Sequence, residues 1–153
     1  MARVVDVATY ILEKRGPMTA MKLQKLVYYS QAWHLVWDEE PLFDEPIEAW
    51  ANGPVVCSLY RQHRGRFTLN GPTEITDGDS SRLTDTERET IDAVLRSYGD
   101  KSAHWLSELT HSEAPWREAR EGLSQRERGD RVISQDSMFM YYDGLTSADA
   151  EAL

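Results

Sequence analysis

The spacing of apolar and polar residues along the chain predicts a protein built mainly from helices. Residues 2–15 place apolar side chains at helical intervals, and Gly16-Pro17 ends this first helix because proline cannot continue it. Thr19 suits the N-cap of a second helix, which runs from Ala20 to about Trp37. That helix is apolar on more than one face, so we expect it to be the central and most buried helix.

One edge of the second helix is more polar than the rest and is the best candidate for a solvent-exposed stripe. Its residues recur at spacings of three and four, as on one side of a helix. The apolar face carries His34, which we expect to be a buried core histidine rather than a metal ligand. The edge that we expect to be exposed consists of Lys22, Lys25, Tyr29 and Ala32.

The segment after the second helix is predicted to be irregular. Prolines at positions 41 and 46 favour a loop over residues 38–48, which hold six acids and no base. Residues 47–51 suit a short strand. Gly53-Pro54 is expected to open a third helix, since proline at the first helical position loses no hydrogen bond. Apolar residues at positions 67, 69 and 75 suggest a weak hairpin.

The second half of the chain contains the clearest local signal. Thr84 and Glu87 form a capping-box pattern, and Gly99 ends the helix that follows. We therefore divide the chain into one compact multi-helix domain, residues 1–142, with at most a short β-hairpin, and a short, flexible, acidic tail, residues 143–153. Three shorter helices are expected to begin after Ser102, Ser112 and Ser134.

The composition limits the cellular setting of the protein. The 153 residues suit one domain, and a single cysteine excludes an internal disulfide. No segment approaches the roughly 18 consecutive apolar residues of a membrane span. The start of the chain does not resemble a signal peptide. We therefore expect a cytoplasmic protein without a membrane partner.

The net charge of −9 is unevenly distributed. Residues 1–66 hold 8 basic and 8 acidic residues, whereas residues 67–153 hold 9 basic and 18 acidic residues. Such a chain repels phosphate backbones unless it has a local basic patch, so we expect no nucleic-acid partner. It attracts basic partners instead. Five arginines in residues 117–131 alternate with four acids, which is typical of pairing along a helix rather than of a phosphate track.

Few residues are arranged for catalysis or metal binding. The four histidines form no pair at the spacing of a helical zinc site, and no phosphate-binding loop or serine nucleophile motif occurs. We expect no metal, no cofactor and no enzyme activity. The enzymatic alternative uses Cys57, near a helix start that can lower its pKa, or the carboxylates of residues 38–48. An exposed Cys57 thiol beside a histidine would favour that alternative.

The order of several short motifs resembles that of a known family, the Panacea domain, which includes SocA-like antitoxins and phage-associated GepA-like proteins. The resemblance covers about residues 4–142, and one departure is Ala20, where family members often have proline. The motifs are Met18-Thr19-Ala20-Met21-Lys22-Leu23-Gln24-Lys25-Leu26-Val27-Tyr28-Tyr29, Ala32-Trp33-His34, Ala49-Trp50, Gly53-Pro54-Val55-Val56 and Thr110-His111-Ser112-Glu113-Ala114-Pro115-Trp116.

The resemblance implies an antitoxin that neutralises a toxin encoded beside it by direct protein–protein contact. Toxins paired with this family are diverse, so the toxin's identity does not follow. An alternative is a proteolytic adaptor that delivers the toxin to a protease, with a protease or chaperone as a further partner. Some family members carry an added DNA-binding domain, and we expect none here. A transcriptional autoregulator is a third class, which a basic groove on the folded surface would favour. The oligomeric state stays open.

Two acidic segments are candidates for the contact surface, the acidic loop of residues 38–48 and residues 74–92, and we prefer the loop. The alternative for the loop is that its large apolar side chains only pin it to the core. A basic toxin site would be attracted by its charges, and apolar residues among those charges would anchor the contact. The loop residues chosen on these grounds are Glu39, Glu40, Leu42, Phe43, Asp44 and Glu45, next to Trp37. The fallback surface is the edge formed by Lys22, Lys25 and Tyr29.

Overall fold

Helices make up most of the described part of the chain, so the predicted mainly helical fold class is confirmed. The computed structural model describes residues 2–152, with side chains up to Thr146. In chain order the helices are α1 (Val4–Arg15), α2 (Ala20–Asp38), α3 (Cys57–His63), α4 (Asp85–Tyr98), α5 (Ala103–Ser112), α6 (Ala114–Ala119) and α7 (Gln135–Ala152).

Four short strands pair into two antiparallel sheets. They are β1 (Met18–Thr19), β2 (Ile47–Trp50), β3 (Gly53–Val56) and β4 (Thr68–Leu69). β2 pairs with β3 as a hairpin, and β1 pairs with β4. The strand predicted at residues 47–51 is confirmed.

Two other local predictions are wrong. The third helix begins at Cys57 and not at Gly53-Pro54, because residues 53–56 extend and pair with β2. Two of these four residues are valines, whose branched side chains suit a strand. The hairpin expected from residues 67, 69 and 75 is absent from the described sheets, since Leu69 pairs with Met18 instead.

Helix α2 is the centre of the fold, as its apolar residues predict. It packs against α1, α4, α5, α7 and β3. Its start is capped by Thr19, whose Oγ1 accepts a hydrogen bond of 3.1 Å from the backbone N–H of Lys22. Along α2 the fully buried apolar side chains include Leu23, Leu26, Val27, Tyr28 and Tyr29.

Polar side chains at the helix starts behave largely as predicted. The backbone N–H of Thr84 donates to Glu87 Oε1 at 2.8 Å, and the N–H of Glu87 donates to Thr84 Oγ1 at 3.2 Å. Ser102 and Ser134 also accept the expected capping bonds. Ser112 does not cap α6; it is the last residue of α5.

The arginine-rich segment is not the paired helix that the sequence suggests. After α6 the chain is irregular through residue 131, and the side chain of Arg120 is buried at its centre. A glycine is required at position 129, where φ is +79° and a Cβ would lie 2.6 Å from Arg120 Nη1. The Arg120 guanidinium donates hydrogen bonds of 2.6–2.9 Å to four backbone carbonyl oxygens, those of Ala49, Ser124, Glu127 and Arg128.

The C-terminal helix continues past the predicted domain boundary. α7 runs from Gln135 to Ala152, so the residues assigned to the tail begin inside this helix. The side chains after Thr146, together with Met1 and Leu153, lie outside the described residues. The boundary at residue 142 and the flexibility of residues 143–153 stay predictions.

Candidate functional site

The acidic loop keeps its charges at the surface but not its apolar anchors. Glu39, Glu40 and Asp44 are exposed. Leu42 and Phe43, the apolar residues proposed as anchors of a contact, are completely buried, as the alternative of core packing predicts. These two residues pin the loop to the core.

A glutamine of α2 explains why the loop turns inward. Gln31 Oε1 accepts a hydrogen bond of 2.6 Å from the backbone N–H of Leu42, and Gln31 Nε2 donates one of 2.8 Å to the carbonyl oxygen of Phe43. Glu45 also has a structural contact, since its Oε2 accepts from the backbone N–H of Val4 at the start of α1, at 3.1 Å. Trp37, 48% exposed, is the large apolar residue left at the surface beside the loop.

The fallback edge of α2 is not a surface edge. Lys22 is half-buried, whereas Lys25, Tyr29 and Ala32 are buried, so the expected exposure of these three residues is wrong. The physical reason is that α2 is covered on several sides, including the side that carries its polar residues. Whether Lys22, Lys25 or Tyr29 contacts a partner stays a prediction.

Tyr29 belongs to a buried hydrogen-bond network. Its hydroxyl donates to Glu113 Oε1 at 2.7 Å, and the hydroxyl of Tyr142 donates to the same oxygen at 2.8 Å. Burial raises the pKa of Glu113, and the two hydroxyl donors partly offset this rise. The network joins α2, α7 and the turn before α6, so it stabilises the packing of these segments.

Cys57 lacks the environment of a nucleophile. Its thiol is half-buried, and burial together with a hydrogen bond to Glu48 raises the pKa of Cys57 to about 11. A reactive thiol needs the opposite shift, since the thiolate is the attacking species. The environment of the Cys57 thiol therefore does not favour the enzymatic alternative.

His34 is a core residue, as predicted. Its Nδ1 lies 2.9 Å from Thr90 Oγ1 and 2.9 Å from Asp38 Oδ2, and its side chain is buried. Burial lowers the pKa of His34, while Asp38 acts in the opposite direction. In the described part of the chain, no three His, Cys, Asp or Glu side chains are grouped to hold a metal ion.

A groove of about 860 Å³ lies beside the first turns of α2. It is bounded by the first turns of α2, the β2–β3 hairpin, the end of α3 and one side of α5. We call it the basic groove. Its inner residues are Gln24, Lys25, His63 and His111, and the residues of its outer part are Met21, Arg66, Phe67, Glu108, Arg126 and Arg128.

The innermost charged group of the basic groove is Lys25. Its side chain is 1% exposed, and its Nζ donates to the carbonyl oxygen of Pro54 at 3.1 Å. No carboxylate of the described residues forms an ion pair with it. Burial accordingly lowers the pKa of Lys25 from 10.5 to about 7.

The hairpin leaves room for this lysine because position 53 is glycine. A Cβ on Gly53 would lie 2.4 Å from Lys25 Cε, and the residue has a φ of +122°, which side chains rarely adopt. Gln24 fixes the same strand, since the backbone N–H of Val56 donates to Gln24 Oε1 at 2.9 Å. The amide Nε2 of Gln24 also lies 3.0 Å from His63 Nε2, which accepts its hydrogen bond.

Two histidines sit near Lys25 inside the groove. Burial lowers the pKa of both His63 and His111, and repulsion from the Lys25 ammonium acts in the same direction on each. The His111 ring stacks on Trp116 at 4.1 Å. Its Nε2 is buried and has no hydrogen-bond partner among the described residues.

The outer part of the groove combines apolar and cationic side chains. Phe67 is 82% exposed and Met21 is 39% exposed. Arg66 is paired with Glu74 at 2.7 Å, whereas the Arg128 guanidinium lies 4.3 Å from the centre of the Trp50 ring. Glu108 is the acid among the lining residues.

The sequence does not reveal this groove, although some of its residues stand out. The available signal is a lysine, Lys25, on a helix that is apolar on more than one face, because a buried lysine needs a partner from a distant segment.

The comparison with known proteins gives the same family as the motifs. The family described as antitoxin SocA-like, Panacea domain, matches residues 23–117. The chain belongs to this family. All four inner residues of the groove lie within the matched range, whereas the outer residues Met21, Arg126 and Arg128 lie outside it.

One curated relative of this chain carries the name of an antitoxin. The chain described here is 31% identical over 128 residues to the protein named Antitoxin SocA from Caulobacter vibrioides. The alignment covers 72% of this chain and 66% of the relative, slightly less than two thirds of that protein. No solved structure matches at a significant level. None of the described helices is both long and apolar enough to cross a membrane.

Proposed function

We propose that this Panacea-domain protein is an antitoxin that neutralises its cognate toxin in the cytoplasm by direct protein–protein binding. The observation that carries the proposal is membership of an antitoxin family over residues 23–117, together with 31% identity to a protein named Antitoxin SocA. Binding of a toxin is the simplest activity that such a family member would need.

Binding is favoured over catalysis by the state of the groups that an enzyme would use. Cys57 has a raised pKa and a carboxylate neighbour, so its thiolate is disfavoured. The loop acids Glu39, Glu40 and Asp44 lie exposed to solvent, whereas a catalytic acid–base pair is usually placed in a cleft that shifts its pKa values.

The test is to express the protein encoded beside this one, with and without the antitoxin, and to measure growth and complex formation. We expect the neighbouring protein to be toxic when it is expressed alone. Co-expression of the antitoxin should restore growth, and the two chains should co-purify. Cys57→Ala is the variant that separates the two classes, and we expect it to retain rescue. Rescue lost in Cys57→Ala, with normal folding and normal toxin binding, would favour the enzyme.

A second measurement separates inhibition from delivery to a protease. The toxin is purified, and its activity is measured with and without the antitoxin in the absence of any protease. We expect inhibition under these conditions. If the purified toxin stays active in the complex while its half-life in cells falls, the adaptor mechanism is correct and simple neutralisation is not.

A further inference from the structure

We propose that the basic groove is the toxin-binding site and that it receives an acidic segment of the toxin, with a carboxylate of that segment paired to Lys25. This inference rests on the proposed antitoxin function and adds the surface and the chemistry of the contact. It also replaces the acidic loop as the preferred contact surface.

The shape of the groove suits a slender chain. Its volume of about 860 Å³ is within the range of sites that enclose a ligand rather than of a shallow surface dent. Phe67 and Met21 are large apolar side chains exposed at its edge. Interfaces use such residues as anchors around a polar contact.

The charge of the groove is opposite to that of the whole protein. The chain has a net charge of −9, yet Lys25, Arg126 and Arg128 line this groove without an ion-pair partner among the described residues. Glu108 is the acidic residue among the lining residues. A local concentration of cations on an acidic protein attracts an anionic segment to this place and repels it elsewhere.

The buried lysine is the strongest indication of a missing anion. An ammonium without a counterion inside a protein is destabilising, and the usual compensation is a carboxylate with further hydrogen bonds. The protein holds Lys25 in place with one carbonyl bond, from Pro54, and leaves space for it at Gly53. A carboxylate of the toxin would supply the counterion. His111, whose buried Nε2 has no hydrogen-bond partner among the described residues, lines the same groove.

A protein segment fits these features better than a nucleic acid. Lys25 is 1% exposed and lines the groove, so a partner for it is best carried on a narrow group such as an acidic side chain or a chain terminus. The phosphates of a duplex lie on the outside of a wide cylinder and do not enter such a space. The rest of the acidic surface would repel the remaining phosphates.

The first experiment measures toxin binding by purified variants. Lys25→Met removes the inner cation, Arg128→Glu reverses an outer one, and Phe67→Asp changes an exposed anchor. We expect each to weaken the toxin complex about 10-fold or more. The matched control is Met140→Glu, since Met140 is 71% exposed on α7 and outside the groove, and it should bind as the unchanged protein does.

The second experiment identifies the bound segment. A photo-crosslinking amino acid replaces Phe67, the complex is irradiated, and the attached toxin peptide is sequenced by mass spectrometry. We expect a peptide that contains aspartate, glutamate or the toxin's carboxyl terminus. A crosslinked peptide without any of these contradicts the proposal.

A third measurement tests the role of the lysine itself. Pairing with a carboxylate raises the pKa of Lys25, so the complex should take up a proton when it forms at a pH above 7. Burial lowers the pKa of His63 and of His111, so both rings are neutral there. The other charged groups that face the groove are Arg66, Glu108, Arg126 and Arg128. Calorimetry in two buffers of different ionisation enthalpy should show this uptake, and Lys25→Met should lose it.

The outcomes separate the two proposals. If the unchanged protein neither rescues cells nor binds the toxin, the antitoxin function fails and the groove assignment fails with it. If the unchanged protein binds and all three groove variants bind equally well, the function stands and the groove assignment is wrong. Binding of a DNA or RNA oligonucleotide that Lys25→Met abolishes, with toxin binding unchanged, would also overturn the assignment.

Discussion

Replacing Lys25 by methionine should stabilise the free protein, and the gain should depend on pH. The folded protein holds the pKa of Lys25 at about 7, against 10.5 for the ordinary value. Between these values the unfolded chain keeps a proton that the folded chain has released. The free energy of unfolding of the unchanged protein therefore rises with pH between about 7 and 10.5, and the destabilising contribution of Lys25 is constant at lower pH. Methionine has no proton to release, so the variant lacks this dependence.

The magnitude follows from the size of the pKa shift. Each pH unit inside the window changes the free energy of unfolding by about 1.4 kcal/mol. From about pH 7.5 to about pH 9.5, the difference between the two proteins should therefore shrink by about 2–3 kcal/mol. The advantage of the variant should be largest at neutral pH and below.

Urea unfolding of both proteins at several pH values is the assay. Buried tyrosines such as Tyr28 and Tyr29 have raised pKa values, but they are present in both proteins and cancel in the difference. Lys14→Met, which removes an exposed lysine of α1, is the control and should follow the unchanged protein at each pH. Parallel stability curves for Lys25→Met and the unchanged protein would refute the reasoning, because the ammonium would then be hydrated in the folded state.

Three further changes test other parts of the structure. Gly53→Ala should destabilise the protein by about 1–3 kcal/mol in urea unfolding, because its Cβ meets the Lys25 side chain and its φ is positive; unchanged stability would show that the hairpin relaxes freely. Trp33→Ala should cost about 2–3 kcal/mol, since the ring is only partly buried and its Nε1 donates to Tyr98 at 3.0 Å; an unaltered melting temperature would mean that the ring adds nothing to the core. Charge reversal of the acidic loop should not slow association with the toxin in stopped-flow measurements, because it only weakens the repulsion of an acidic segment; slower association would restore that loop as the contact. The substitutions are Glu39→Lys, Glu40→Lys, Asp44→Lys and Glu45→Lys.

The sequence pattern was sufficient for elements whose signals are local. The end of α1 follows from Gly16-Pro17, and the start of α2 follows from Thr19. The start of α4 follows from the pairing of Thr84 with Glu87. These interactions join residues a few positions apart, so a single stretch of sequence contains all the information that they need.

The hairpin was missed because its residues suit two local conformations, and the groove and the buried loop were missed because they depend on contacts between segments far apart in sequence. Gly53-Pro54 suits a helix start as well as a strand, and pairing with β2 selects the strand. Lys25 looks like a surface lysine until the carbonyl of Pro54, 29 positions later, is seen to bind it. Leu42 and Phe43 lie in a polar loop but are drawn inward by Gln31.

The bonds of Arg120 have a consequence for how this surface can change. Its guanidinium holds the segment before α7 through backbone carbonyl oxygens, including those of Ser124, Glu127 and Arg128, which every amino acid possesses. The shape of that segment therefore depends on Arg120 and on the glycine at position 129 more than on the side chains at positions 126 and 128. Residues at positions such as 126 and 128 can be exchanged for others of different charge or size without rebuilding the segment that carries them. A new partner could thus be accommodated by point substitutions on a constant frame.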